Sequence, residues 1–133
     1  MLNNNIKKIL IIGYGDIALR HYKILSKIIK KSEIKFLRHK KVIIKNKKFL
    51  NNLKEAREFN PNLIIIANPS SLHIQTSLKF IDLKTIFFIE KPISNNYKLA
   101  KNFYNICNKK NISVFVGYNL RYSDSLNLFK KKL

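Results

Sequence analysis

The chain alternates between short apolar runs and longer stretches in which apolar residues recur with helical spacing. Residues 7–12, 34–38, 63–67, 85–89 and 112–116 read as strands, and 42–44 reads as a short extra strand or part of a loop. The unbroken run Leu63-Ile64-Ile65-Ile66-Ala67 suits a parallel sheet buried on both faces. Residues 16–30 read as a helix with Ile17, His21, Ile24, Leu25 and Ile28 along one face. Residues 49–59 read as a helix ended by Asn60-Pro61. Residues 71–81 form a further helix with a serine start signal. Ser94 is expected to cap a helix through about Asn108, with Tyr97, Ala100, Tyr104 and Cys107 on one stripe. The tail from Ser123 reads as helical.

Strand–helix alternation with short connections implies a parallel sheet with right-handed crossovers. The predicted fold class is therefore α/β, a doubly wound, mostly parallel sheet. Ligands of such sheets bind beyond the carboxyl ends of the strands, at the switch in strand order. Every motif discussed below falls at such an end. At 133 residues the chain is expected to be a single domain. Residues 1–122 would form that domain, with 123–133 a helical tail.

Composition adjusts this picture modestly. No apolar run approaches the ~18 residues that a membrane helix needs. The segment before Gly13 is too short and too polar for a signal peptide. The single Cys107 permits no internal disulfide. These features predict a cytoplasmic protein with no membrane partner. The net charge of +20 invites a nucleic-acid reading. Only four of the 27 basic residues are arginine, however: Arg20, Arg38, Arg57 and Arg121. Direct base readout relies on the bidentate arginine fork. The lysines are dispersed from Lys7 to Lys132, and Lys, Asn and Ile, all abundant here, share A/T-rich codons. A solvated basic surface is the expectation, with no specific nucleic-acid partner and only salt-sensitive adhesion to polyanions.

Gly13-x-Gly15-x-x-Ala18 follows a strand and opens a helix, as a dinucleotide fingerprint requires. Gly13 permits the tight turn, Gly15 lets the backbone approach a pyrophosphate, and Ala18 is small enough for close helix–strand packing. The helix start would supply free N–H groups to the anion. The turn Gly13, Tyr14, Gly15, Asp16, Ile17 is thus a candidate cofactor site. The second strand ends in Arg38-His39-Lys40 rather than in an acid. A basic end suits a 2′-phosphate, so the cofactor is NADP or NAD. Asn68-Pro69-Ser70-Ser71-Leu72-His73 follows the next strand, placing Asn68, Pro69 and His73 near the same edge. Glu90-Lys91-Pro92 is the sharpest signal. A lysine at a strand end can donate a hydrogen bond or proton to a substrate oxygen. Lys91-Pro92 admits a cis peptide, which would fix the direction of the amine. Glu90 joins the cofactor candidates. After the last strand, Asn119 and Arg121 fall on one side if the backbone stays extended, and can then hold hydroxyls or a carboxylate. No metal site is expected.

Taken together, Gly13-Tyr14-Gly15-Asp16-Ile17-Ala18 with Arg20-His21, Ala67-Asn68-Pro69-Ser70-Ser71-Leu72-His73, Glu90-Lys91-Pro92 and Gly117-Tyr118-Asn119-Leu120-Arg121-Tyr122 resemble the N-terminal domain of the Gfo/Idh/MocA oxidoreductases, the glucose–fructose oxidoreductase and inositol dehydrogenase group. The resemblance runs from about Lys7 to the C-terminus. It implies an NAD(P)-binding Rossmann domain and hydride transfer at a carbon of a sugar- or polyol-like substrate. By that resemblance Lys91 is the catalytic lysine near the nicotinamide and substrate, and Gly13 and Gly15 belong to the pyrophosphate turn. The family also implies a second, larger α/β domain. None follows the first here, so the chain is expected to be a truncated or split member that turns over only when a second chain supplies that half. A binding module without catalysis is the alternative, and a basic nucleic-acid-associated protein a third.

Overall fold

In a computed structural model of the chain, residues 6–38 and 46–132 are described. The expected segment 42–44 lies outside them, as do His39 and Lys40. Six strands form one wholly parallel sheet: β1 (Lys8–Ile12), β2 (Glu33–Leu37), β3 (Phe49–Leu50), β4 (Leu63–Ile66), β5 (Ile86–Ile89) and β6 (Val114–Val116). Their spatial order is β3-β2-β1-β4-β5-β6. The order reverses between β1 and β4, the switch point of a doubly wound sheet. β4 pairs with β1 through Ile66↔Ile12 and with β5 through Ile66↔Ile89.

The two central strands are apolar on both faces because both faces are covered. Ile9, Ile11, Leu63 and Ile65 meet Ala18 and Leu25 of α1 (Asp16–Ile28) on one side. Leu10, Ile12, Ile64 and Ile66 meet the other helices: α2 (Leu53–Glu58), α3 (His73–Leu78) and α4 (Tyr97–Lys109), through Ala56, Ile74, Phe103 and Cys107. Phe80, Phe87 and Phe103 are fully buried, each contributing roughly 1.5–3 kcal/mol. A short helix α5 (Asp124–Lys132) follows the sheet.

Several boundaries differ from the sequence expectation for identifiable reasons. Phe49 and Leu50 form β3 rather than the start of a helix, because pairing with β2 stacks Phe49 on Phe36, with ring centroids 5.6 Å apart. The helix begins after Asn52, whose side chain accepts the Glu55 N–H at 2.9 Å. Glu55 in turn accepts from Asn52 Nδ2 at 2.8 Å, making the cap reciprocal, and from the preceding Asn51 N–H at 2.9 Å. The cap of α4 is Asn96, which accepts the Leu99 N–H at 3.1 Å, while Ser94 accepts the Asn96 N–H one turn earlier. α3 is preceded by a 3₁₀ turn at Ser70–Leu72. The buried stripe of α1 is Ala18 and Leu25, leaving Ile17, Ile24 and Ile28 exposed. Likewise α4 buries Phe103 and Cys107 and exposes Tyr97 and Tyr104.

Candidate dinucleotide site

Four strand ends lie side by side at one level. The first residue beyond each strand still bonds to its neighbour: Ala67 N–H to Ile12 O (2.9 Å), Glu90 N–H to Ile66 O (3.0 Å) and Gly117 N–H to Ile89 O (2.9 Å). On the other flank the Gly13 N–H donates to Leu37 O at 2.9 Å. Gly13, Ala67, Glu90 and Gly117 therefore form a continuous shelf across β1, β4, β5 and β6. With strands about 4.8 Å apart, Glu90 sits roughly 10 Å from Gly13.

The glycine turn is built as the fingerprint demands. Gly13 has φ 113°, and a Cβ there would lie 2.4 Å from Ala67 O. That position accepts only glycine. Gly15 differs: it is the N-cap of α1 in extended conformation, and a Cβ there would meet nothing within 4 Å. No side chain caps the helix start. Among the described residues no side chain bonds this helix start and the space beside Gly15 is open, an arrangement that fits a pyrophosphate. Asp16 and Ile17 lie exposed in that turn, and Ala18, fully buried, lets α1 approach the sheet.

Beside the turn, Tyr14 packs edge-on against Phe36 (5.2 Å) and Phe49 (4.9 Å). The Arg38 guanidinium lies over the Tyr14 ring at 5.5 Å. A cation is thereby held at the end of β2, where the ribose of a dinucleotide falls in this fold. No acid stands at the end of β2.

At the β4 end, Asn68 donates from Nδ2 to Thr76 Oγ1 at 2.9 Å, and its buried Oδ1 has no hydrogen-bond partner among the described residues. Pro69 is exposed. His73 is only 1% exposed. Its Nδ1 lies 2.9 Å from Pro92 O and its Nε2 2.9 Å from Asn68 O. Both ring nitrogens are therefore engaged by backbone, and neither points to open space.

At the β5 end, the Lys91-Pro92 bond is cis. Lys91 is exposed, and its amine has no hydrogen bond or ion pair among the described residues. The Glu90 carboxylate turns toward α1 and meets His21 Nε2 at 2.6 Å. Its other oxygen accepts the Lys91 N–H at 3.3 Å. Sequence reasoning placed His21 only on a helix face and in a family motif. The spacing between His21 and Glu90 held no signal that they pair.

Asn119 and Arg121 lie in a 3₁₀ turn (Asn119–Tyr122), not an extended segment. The turn forms because Arg121 N–H reaches Tyr118 O and Ser123 N–H reaches Leu120 O. Residues two apart in such a turn point in different directions, so the two side chains do not share one side. Both are exposed. Among the described residues no group of three His, Cys, Asp or Glu side chains could hold a metal, and no helix is long and apolar enough to cross a membrane.

Comparison with known proteins agrees with this geometry. No curated protein sequence matches the chain. Solved structures do. The WlbA dehydrogenase from Chromobacterium violaceum, solved with NADH and UDP-GlcNAcA, superposes with a TM-score of 0.83 at 19% identity, covering 98% of this chain and 40% of that one. The scyllo-inositol dehydrogenase from Lactobacillus casei, solved with NAD(H) and scyllo-inositol, gives 0.75 at 19% identity over 94% and 40%. A Gfo/Idh/MocA family oxidoreductase from Vibrio cholerae gives 0.75 at 19% identity over 96% and 42%. The chain thus spans about 40% of the length of these structures. Residues 7–118 match the sequence profile of the GFO_IDH_MocA oxidoreductases, described as an oxidoreductase family with an NAD-binding Rossmann fold. With the glycine turn, the switch point and a sequence match over most of its length, the chain belongs to the Gfo/Idh/MocA oxidoreductase family and carries its NAD-binding Rossmann domain.

Proposed function

We propose that the chain binds a nicotinamide dinucleotide along the shelf of strand ends. The observation that carries this reading is Gly15, an uncapped helix start with open space where a side chain would project. Gly13, Tyr14, Gly15, Asp16 and Ile17 would cradle the pyrophosphate. Arg38 would lie at the adenosine ribose and bear on the choice between NADP and NAD. Asn68, Pro69, His73 and Glu90 shape the wall leading to the nicotinamide.

Lys91 is the proposed catalytic residue; Asn119 and Arg121 lie exposed in the turn after β6 and point apart, so they would meet the substrate from different directions and not as a pair. When bound, the cofactor supplies or accepts hydride at C4 of its nicotinamide ring. In the reducing direction the Lys91 ammonium would hydrogen-bond the carbonyl oxygen of a sugar- or polyol-like substrate and pass it a proton as the carbonyl is reduced to the alcohol, leaving Lys91 as the neutral amine. The WlbA and scyllo-inositol dehydrogenase structures, which contain a sugar nucleotide and a cyclitol, support that substrate class.

Turnover needs a pocket that excludes water. Lys91 here is open to solvent, and Phe115, Tyr118, Leu120 and Tyr122 are exposed beyond β5. We place residues 1–122 as the dinucleotide domain and 123–133 as the start of a second domain. That domain, on the same polypeptide or a second chain, would cover the shelf. The lone, buried Cys107 supports a cytoplasmic setting. The open shelf also favours a second reading, a dinucleotide-binding module without catalysis.

Calorimetric titration with NADH and NADPH at near-physiological salt tests the first step. Saturable binding of either is expected; a folded sample that binds neither overturns it. Adding a family C-terminal domain in trans and following NADH absorbance with sugar-nucleotide and cyclitol substrates separates the enzyme from the binding module.

A further inference from the structure

We propose that His21 and His73 are positioning residues for Lys91, holding the backbone on either side of it. The inference rests on the reading of Lys91 as the site's amine. Glu90 and Pro92 bracket that lysine, and each is tied by one histidine. His21 comes from α1, on one face of the sheet. Its Nε2 meets Glu90 Oε1 at 2.6 Å, and its ring packs edge-on against Phe88 at 5.2 Å. His73 comes from α3, on the opposite face, and meets Pro92 O at 2.9 Å.

Each tie is itself anchored. Glu90 Oε2 accepts the Lys91 N–H, so the carboxylate that His21 orients also fixes the amide of the lysine. The carboxylate has room to do this because residue 117 is glycine. A Cβ at Gly117 would lie 3.2 Å from Glu90 Oε1 and 3.3 Å from Oε2, tighter than ordinary contact. On the other side His73 Nε2 faces Asn68 O at 2.9 Å, tying Pro92 to the loop after β4. Carbonyl oxygens only accept hydrogen bonds, so the tie to Pro92 O needs the His73 tautomer that carries its proton on Nδ1.

The contrast within this segment is the basis of the assignment. Segment 90–92 is tied to α1 through the Glu90 carboxylate, to α3 through Pro92 O and, by way of His73, to the β4 loop, while the Lys91 amine bonds to nothing described. A lysine stem has four rotatable bonds and is costly to order. Fixing its origin leaves less for a ligand to organise, which is how a supporting shell acts on a reacting group. Neither histidine needs to touch substrate or cofactor to do this.

The test uses acetic anhydride as a probe of lysine reactivity, read peptide by peptide by mass spectrometry, with and without NADH. Each protein is studied at an NADH concentration that saturates it, and Lys109 at the far end of α4 serves as the internal control. In the wild type, bound NADH should slow acetylation of Lys91 about tenfold relative to Lys109. In folded His21→Phe and His73→Phe the protection should fall to about twofold or less, since small displacements of a reacting group carry large effects. Equal protection in both folded variants and the wild type would overturn the proposal. Absence of NADH binding, or of Lys91 protection, in the wild type would instead overturn the site reading beneath it.

A second measurement needs no variant. Long-range ¹H–¹⁵N NMR of the wild-type protein should show His73 as the tautomer with its proton on Nδ1, the one that donates to Pro92 O. A bare Nδ1 would mean that Pro92 is not held, and would overturn the His73 half of the proposal even if the variants failed to fold.

Discussion

Gly13 and Gly15 stand two residues apart and are required for opposite reasons. At Gly13 the backbone sits at φ 113° with Ala67 O against it. Gly13→Ala is expected to destabilise the fold by roughly 1–3 kcal/mol from backbone strain alone, with the steric clash in addition. Thermal or urea unfolding checks this. At Gly15 nothing in the fold is close, so Gly15→Val should cost only about 1 kcal/mol, the penalty of a poor N-cap. Its effect should instead fall on the ligand, weakening NADH or NADPH at least tenfold, or about 1.4 kcal/mol. Arg38→Ala should weaken NADPH selectively by about tenfold, since only that cofactor brings a 2′-phosphate to the end of β2. Titration with both cofactors reads the difference. The glycine turn and the strand-end position of Lys91 were legible in the sequence because each needs only a short local pattern beside a strand. The contacts of His21 with Glu90 and of His73 with Pro92 were not, because those partners are remote in sequence and are met only once α1 and α3 have packed on opposite faces of the sheet.

Elements were legible where their pattern was local and obscure where tertiary contacts chose. β1, β4 and β5 announce themselves as apolar runs. Phe49 and Leu50 resemble a helix start until β2 offers Phe36 as a stacking partner. On α1 the isoleucines suggested the buried face, yet small Ala18 is what allows close approach to the sheet, so Ile17 and Ile24 turn outward. α2 is short and leans on its ends. Asn52→Ala should cost about 1 kcal/mol through loss of the N-cap. Arg57 at its last turn bonds the Lys79 carbonyl and both oxygens of Asp82, joining α2 to the turn after α3. The guanidinium holds the Asp82 carboxyl down at about 2, against roughly 3.9 for a free aspartate. A depressed carboxylate contributes stability above its unfolded value, and this is lost as pH falls through its folded one. The melting temperature of the wild type should therefore fall further between about pH 4 and pH 2 than that of Asp82→Asn, which lacks this component.

Across the whole molecule, one all-parallel sheet brings every candidate residue to a single edge, although they span the chain from Gly13 to Arg121. This convergence was foreseeable from strand–helix alternation. The chain's strong positive charge acts on a different scale. It should produce polyanion adhesion that weakens by orders of magnitude between low and physiological salt. A dinucleotide seated on a helix start by directional hydrogen bonds should depend on salt far less. The most direct test is therefore a calorimetric titration of the wild-type chain and of Gly15→Val with NADH and NADPH at near-physiological salt, after circular dichroism confirms that both are folded. The expected result is saturable one-site binding to the wild type, weakened at least tenfold in Gly15→Val. Equal binding by both proteins would remove the ligand from the glycine turn, and no binding by the folded wild type would contradict the dinucleotide site altogether.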